Sequence, residues 1–133
     1  MNRPELTVVV PAYNEGGGLG RVIRDWSEAL DRLNIDHILH VYDDGSRDDT
    51  PDVLREAAVG NPRIRVTRHN NIGHGPTVLR GYRDAAGEWI LQIDGDDNIG
   101  PEPYGIALAR LHCGRALDAD CCAFLTTGRV PLV

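Results

Sequence analysis

Three carboxylates crowd into the four residues Asp94-Gly95-Asp96-Asp97, directly after the strand-like run Glu88 to Ile93. Like charges gathered at the end of an apolar strand are costly unless a cation or a bound ligand neutralises them. On an extended segment residues i and i+2 point to the same side. Asp94 and Asp96 are therefore able to face one ion together, with Gly95 letting the backbone bend around it. Oxygen-only ligands suit Mg2+ or Mn2+. Mg2+ is usually held by one or two carboxylates plus ligand phosphates, so a diphosphate would complete such a site. The ordinary alternative is a solvated acidic turn, because a lone DxD triplet is common by composition.

A second acidic cluster, Asp43-Asp44-Gly45-Ser46, follows the β-like run Ile35 to Tyr42. Carboxylates accept hydrogen bonds from ring N–H and hydroxyl groups, which suits a nucleobase edge or a ribose. Asp43 is slightly preferred over Asp44 for that contact, and both stay open. The competing explanation is a loop in which Asp44-Gly45 makes a turn and Ser46 or Asp48 caps the next helix. Just past the first apolar run, Tyr13 offers a flat face and Glu15 a carboxylate, with Pro11 stiffening the exit; a surface tyrosine is the plain alternative.

These clusters need elements to hold them. Leu6 to Val10 is a short β-branched run bounded by Pro11 and reads as a buried strand. Gly16-Gly17-Gly18 reads as a turn. From Leu19, apolar residues at Val22, Ile23, Trp26, Leu30 and Leu33 fall in steps of three and four, which line one side of a helix. A second helix is expected from Thr50, as its cap, with Pro51 at the first helical position. It stops near Gly60-Asn61-Pro62. Arg63 to Arg68 alternates as a third strand. Asn70 to Pro76 is loop chemistry, and Val78, Leu79, Tyr82 and Ala85 suggest a third helix behind it.

The order β-α-β-α-β-α-β makes the strands parallel, with right-handed crossovers. The fold class is an open, mostly parallel α/β sheet with flanking helices. In such a sheet all strand C-termini share one edge, ligands bind in the crevice outside it, and the polar clusters must converge there.

At 133 residues the chain has room for one compact core. Hydrophobic residues at 41% and charged residues at 26% exclude global disorder. A net charge of −6, with scattered arginines, argues against nucleic acid as a partner. No apolar run approaches the roughly 20 residues of a spanning helix, and no signal peptide precedes the first strand, so a cytoplasmic location is expected. Cys113, Cys121 and Cys122 lack zinc spacing and read as reduced thiols.

Taken in order, the strand ends resemble a known set of motifs. Pro11-Ala12-Tyr13-Asn14-Glu15, then Asp43-Asp44-Gly45-Ser46-Arg47-Asp48-Asp49-Thr50, then Asp94-Gly95-Asp96 look like the PxYNE, DDGSxDxT and DxD signatures of family 2 glycosyltransferases. Asn71-Ile72-Gly73-His74-Gly75 and Ala86-Gly87-Glu88-Trp89-Ile90 look like that family's approach to its DxD. The likeness is nearest to the branch that transfers sugars to polyprenyl or dolichol phosphate.

The resemblance implies a GT-A fold, a UDP- or GDP-sugar donor, and Mg2+ or Mn2+. By it, Pro11, Tyr13 and Glu15 bind the nucleoside, Asp43 or Asp44 the base, and Asp94 with Asp96 the metal and donor diphosphate. It also implies inversion at the anomeric carbon and, on likeness alone, a lipid-phosphate acceptor that would bring the protein to the cytoplasmic face of a membrane. Two positions depart from the pattern. Asn98 stands where relatives often carry Gln, and His74 stands where many carry Lys, a weaker fixed charge that also belongs among the candidate donor contacts.

No catalytic base is identified, and a hydroxyl acceptor would need one. The likeness covers about Leu6 to Pro103. Residues 1–103 are therefore expected to form the nucleotide-sugar-binding half, and 104–133 a divergent tail, truncated or frame-shifted after about Pro103.

Three other readings compete. A dinucleotide-binding enzyme shares the β-α order, but Gly16, Gly18 and Gly20 are followed by Arg21 where its third glycine belongs. A nucleotidyltransferase also uses carboxylates and metal. A non-catalytic sugar-nucleotide-binding module, inactive in transfer, is the alternative from a different class.

Overall fold

The computed structural model describes residues 4–86, 88–95 and 125–127. Their elements are β1 (Leu6–Ala12), α1 (Gly16–Arg32), β2 (His37–Asp43), α2 (Thr50–Ala58), β3 (Ile64–Arg68), α3 (His74–Asp84), β4 (Trp89–Gln92) and β5 (Leu125–Thr127). The strands form one sheet in the order β3-β2-β1-β4-β5. β1 through β4 are mutually parallel, and β5 runs antiparallel to β4. The expected open, mostly parallel sheet is therefore the one observed.

Composition sets the layers. Every residue of β1 is buried, as a central strand flanked on both sides requires. On one face, the α1 stripe Leu19, Val22, Ile23, Trp26 and Leu30 packs with Leu54 of α2 over Leu6, Val8, Val10, Leu39 and Val41. Full burial of one such side chain contributes roughly 1.5–3 kcal/mol. Trp26, completely buried, is the change this layer tolerates least, at about 3–5 kcal/mol for truncation to alanine.

The other face is smaller: Val9, Tyr42 and Ile90, with Tyr82 and Ala85 packed against them. Here α3 rides close on β1, because a Cβ on Gly81 would run into Val9 Cγ1. The Tyr42 hydroxyl donates to Asp84 Oδ2 at 3.0 Å, and its ring stacks on His40 at 4.3 Å.

Some boundaries differ from the sequence expectation. The glycine triplet is the first turn of α1 rather than a turn before it. Gly16 lies against Asp49, whose carboxylate would have to move aside for a Cβ there, with the Thr50 N–H at 3.2 Å behind it. Asp49 stands at the N-cap position of α2 without a side-chain cap bond, and Thr50 is the helix's first residue. Thr50 donates both its N–H and its hydroxyl to Asp48 Oδ1, at 2.9 and 2.5 Å.

β1 runs on through Pro11 to Ala12. Its pairing with β4 ends at Val9↔Gln92 while the β2 ladder continues to Ala12↔Asp43, so Pro11 sits where only one strand flanks it. α3 begins at His74, two residues before Pro76. Among the described residues no helix is long and apolar enough to cross a membrane.

Candidate functional site

The exits of β1 and β2 are stitched together at the C-terminal edge of the sheet. Asn14, at a positive φ of 53° that asparagine tolerates, donates its N–H to Ser46 Oγ at 3.0 Å. Its Oδ1 accepts the Arg47 N–H at 2.8 Å. Glu15 N–H donates to Thr50 Oγ1 at 3.0 Å, and Gly16 N–H to Asp48 Oδ2 at 3.3 Å. The Thr50 hydroxyl, then the Thr50 and Gly16 amides, hold the Asp48 carboxyl below the usual carboxylate range. The start of α1 is thus served by the protein's own side chains, which argues against a dinucleotide pyrophosphate there.

Asp43 and Asp44 are both buried. Asp43 Oδ1 accepts the Ser46 N–H at 2.9 Å, and Arg68 Nη1 lies 3.3 Å from Asp43 Oδ2. Arg68 Nη2 also donates to the Ser46 carbonyl at 2.9 Å. Asp44 turns toward the β3–α3 loop, where Oδ1 accepts the Ile72 N–H at 2.8 Å and Oδ2 the Gly73 N–H at 3.0 Å.

In front of these acids lies a cavity of about 710 Å3 whose walls include Tyr13, Ser46, Arg68, His69, Asn70 and Asn71. Neither Asp43 nor Asp44 is among its lining residues. Tyr13, 43% exposed, presents its ring there. Pro11 is buried behind it, at the end of β1.

Farther along the same edge, Asp94 is 57% exposed beyond β4. Its Oδ1 accepts from the Gln92 amide at 2.9 Å and lies 4.0 Å from His74 Nε2. Gly95 is buried against Glu15, for a Cβ on it would collide with Glu15 Oε2 and approach Leu19 Cδ1 at 3.1 Å. Glu15, His74, Asp94 and the two acids after β2 therefore share one rim. Asp96, the other proposed metal ligand, lies outside the described residues, as do Asp97 and Asn98.

Among the described residues no group of three or more His, Cys, Asp or Glu side chains is placed to hold a metal. What the described residues place there is one exposed carboxylate, Asp94, with the His74 imidazole beside it at the first turn of α3.

Arg68, His69 and Asn70 carry no candidate role in the sequence, where they read as strand alternation and loop, while Asn71 opens the motif Asn71-Ile72-Gly73-His74-Gly75 without a contact assigned to it. The signal was available. Arg68 ends β3, and the end of a parallel strand lies on the ligand edge by topology.

Residues 7–126 match the family described as Glycosyl transferase family 2. Among curated proteins, the chain is similar to an undecaprenyl-phosphate 4-deoxy-4-formamido-L-arabinose transferase of Pseudomonas savastanoi pv. phaseolicola. They are 32% identical over 108 residues, which is 78% of this chain and 32% of that protein. The protein of the same description from Pseudomonas fluorescens (strain Pf0-1) is 31% identical over 99 residues, 73% of this chain and 29% of that one.

Among solved structures, the mannosyltransferase PcManGT of Pyrobaculum calidifontis, in complex with GDP-Man and Mn2+, superposes with a TM-score of 0.59. The identity is 28%, over 71% of this chain and 28% of that one. S. aureus TarS 1-349 shares the fold, with a TM-score of 0.66 and 24% identity over 79% of this chain and 31% of that one. The chain spans about a third of the length of the curated relatives it matches.

Proposed function

The chain belongs to glycosyl transferase family 2 and has the fold of its GT-A neighbours, and from that premise we propose that it is the donor-binding part of a transferase moving sugar from a UDP- or GDP-sugar to a polyprenyl phosphate. One observation carries this reading: strand-end groups distant in sequence meet on one rim, with Glu15 packed on Gly95 and His74 beside Asp94. The relatives named as undecaprenyl-phosphate sugar transferases support the acceptor class. The GDP-Man and Mn2+ held by the mannosyltransferase support the donor and the metal.

In this reading the nucleoside occupies the cavity at Tyr13, the base stacking on the tyrosine ring with the Arg68 guanidinium and the Asn70 and Asn71 amides at its edge. Asp43 sits behind Arg68 and fixes its fork through the ion pair. The diphosphate extends toward the first turn of α3, where the His74 and Gly75 N–H groups and the helix dipole favour an anion. Asp94, together with Asp96, would hold Mg2+ or Mn2+ at the diphosphate, and the chemistry supplied there is neutralisation of charge on the leaving group.

The acceptor phosphate oxygen bonds to the anomeric carbon as the bond from that carbon to the donor diphosphate breaks. An ionised phosphate carries no proton for a base to remove, so a polyprenyl phosphate needs none of the general-base help that a hydroxyl acceptor would. A lipid acceptor places the reaction at a membrane surface.

Calorimetry with UDP- and GDP-sugars, with and without Mn2+, tests the donor site, and metal-dependent binding of one donor is expected. The absence of any binding removes the reading. Donor binding without transfer to polyprenyl phosphate favours instead a module that binds nucleotide sugar and does no chemistry.

A further inference from the structure

Two side chains on the walls of the cavity at Tyr13 carry hydrogen-bonding capacity that the protein's own groups do not take up. The first is Arg47. Its backbone is fixed, since its N–H donates to Asn14 Oδ1 at 2.8 Å, one residue along from Tyr13. Its exposed guanidinium makes no hydrogen bond or ion pair among the described residues. Arg68 differs, because its fork is committed to Asp43 Oδ2 and the Ser46 carbonyl. Arg47 therefore offers the cavity a whole fork of donors.

The second is His69, whose side chain is only 10% exposed. Its Nδ1 lies 2.8 Å from the Asn70 carbonyl and 3.3 Å from Asp44 Oδ1. Both of those atoms are acceptors, so in the neutral ring Nδ1 carries the proton and Nε2 is a bare acceptor. That nitrogen is buried and has no hydrogen-bond partner among the described residues. An unpaired buried acceptor is destabilising, and an incoming N–H removes that cost. Asn70, next to it on the cavity wall, is exposed and yields to an entering base.

A fork of donors together with a lone acceptor suits one base better than the other. Guanine presents N7, O6 and N1–H in sequence, as acceptor, acceptor and donor. Uracil presents O4, N3–H and O2, as acceptor, donor and acceptor. A guanidinium meets N7 and O6 with two parallel bonds, and uracil has no such adjacent pair. We infer that the base of the donor is guanine, with Arg47 on N7 and O6 and His69 Nε2 accepting the neighbouring N–H. This rests on the donor site proposed above and selects between its two nucleotides.

Calorimetry of the whole chain in Mn2+ compares GDP, 7-deaza-GDP, in which a carbon replaces N7, and UDP. GDP is expected to bind roughly tenfold or more tightly than either. In Arg47→Met, an exposed change expected to leave the thermal melt in place, GDP loses its advantage over 7-deaza-GDP while UDP binds as it does to the wild type. An equal loss of affinity for all three would make Arg47 a contact to the shared diphosphate and overturn the inference. For His69, nitrogen NMR of the imidazole is expected to show the proton on Nδ1 in the free chain and a shifted Nε2 signal once GDP is added. A proton on Nε2 in the free chain, an Nε2 signal indifferent to bound GDP, or UDP bound as tightly as GDP overturns the inference and leaves the donor site standing. Failure of every nucleotide to bind removes both.

Discussion

His74 Nε2 stands 4.0 Å from Asp94 Oδ1, so the first residue of α3 and the residue two past the end of β4 meet although twenty positions separate them. That meeting places a helix start, an imidazole and an exposed carboxylate at one point of the sheet edge.

Asp94→Asn should lower metal-dependent donor affinity by about tenfold or more, equivalent to about 1.4 kcal/mol, and leave the fold intact because the side chain is exposed. Calorimetry in Mn2+ and in EDTA, beside a circular dichroism melt, separates the two effects. Wild-type affinity in the variant would remove Asp94 from the site.

Arg68→Met should act on stability and on binding together. It leaves the buried Asp43 carboxylate without its cation and the Ser46 carbonyl without its donor. Because the arginine side chain is half-exposed, solvent screens the pair, and the loss is about 1–2 kcal/mol rather than the larger value of a fully buried pair. Arg68→Lys should restore little, since an ammonium lacks the fork that spans Asp43 and Ser46. Urea midpoints and nucleoside titrations of both variants check this, and full rescue by lysine would count against it.

Stability should fall on mild acidification. Burial pushes the His37 and His40 imidazoles down, only partly offset at His37 by its bond to the Ile35 carbonyl and at His40 by Asp84. In the unfolded chain both take up protons near pH 6.5, whereas the folded chain resists until lower pH. The stabilising difference is therefore fully present above about pH 6.5 and is lost as pH falls toward the depressed folded values. Urea midpoints from pH 7.5 to 5 should decline, with a shallower slope for His40→Gln; a flat wild-type profile would refute this.

Two glycines should respond to alanine with opposite signs. Gly81→Ala drives a methyl into Val9 and to within 3.2 Å of Tyr42, so overpacking of about 1–3 kcal/mol outweighs the gain in helix propensity. At Gly17, on the first turn of α1, a Cβ meets nothing within 4 Å, and alanine should stabilise by up to about 1 kcal/mol. Thermal melts of the pair check the seating of α3 on β1.

The sheet was readable because its signals are local. Leu6 to Val10 can hide only as a central strand, and the Leu19 to Leu30 stripe has helical spacing. The glycine triplet reads as a turn because glycine is a poor helix former, and the crowding of Gly16 by Asp49 is a contact across 33 positions that no local pattern carries. Asp43 and Asp44 are alike in sequence and differ only in what the fold sets beside them. The parallel register pairs Asp43 with Arg68, while the next residue turns to the loop after β3. β5 carries no comparable signal, since its three residues pair with β4 more than thirty positions upstream.

The four bonds between the loops after β1 and β2, from Asn14, Glu15 and Gly16 to Ser46, Asp48 and Thr50 and back from Arg47 to Asn14, rivet those segments into one body. A guest entering between Tyr13 and Arg68 meets walls already frozen on the first two sides, so little ordering entropy is left to lose there. Discrimination among guests then comes from shape, as in a rigid mould, and adjustment is left to the segment between β3 and α3.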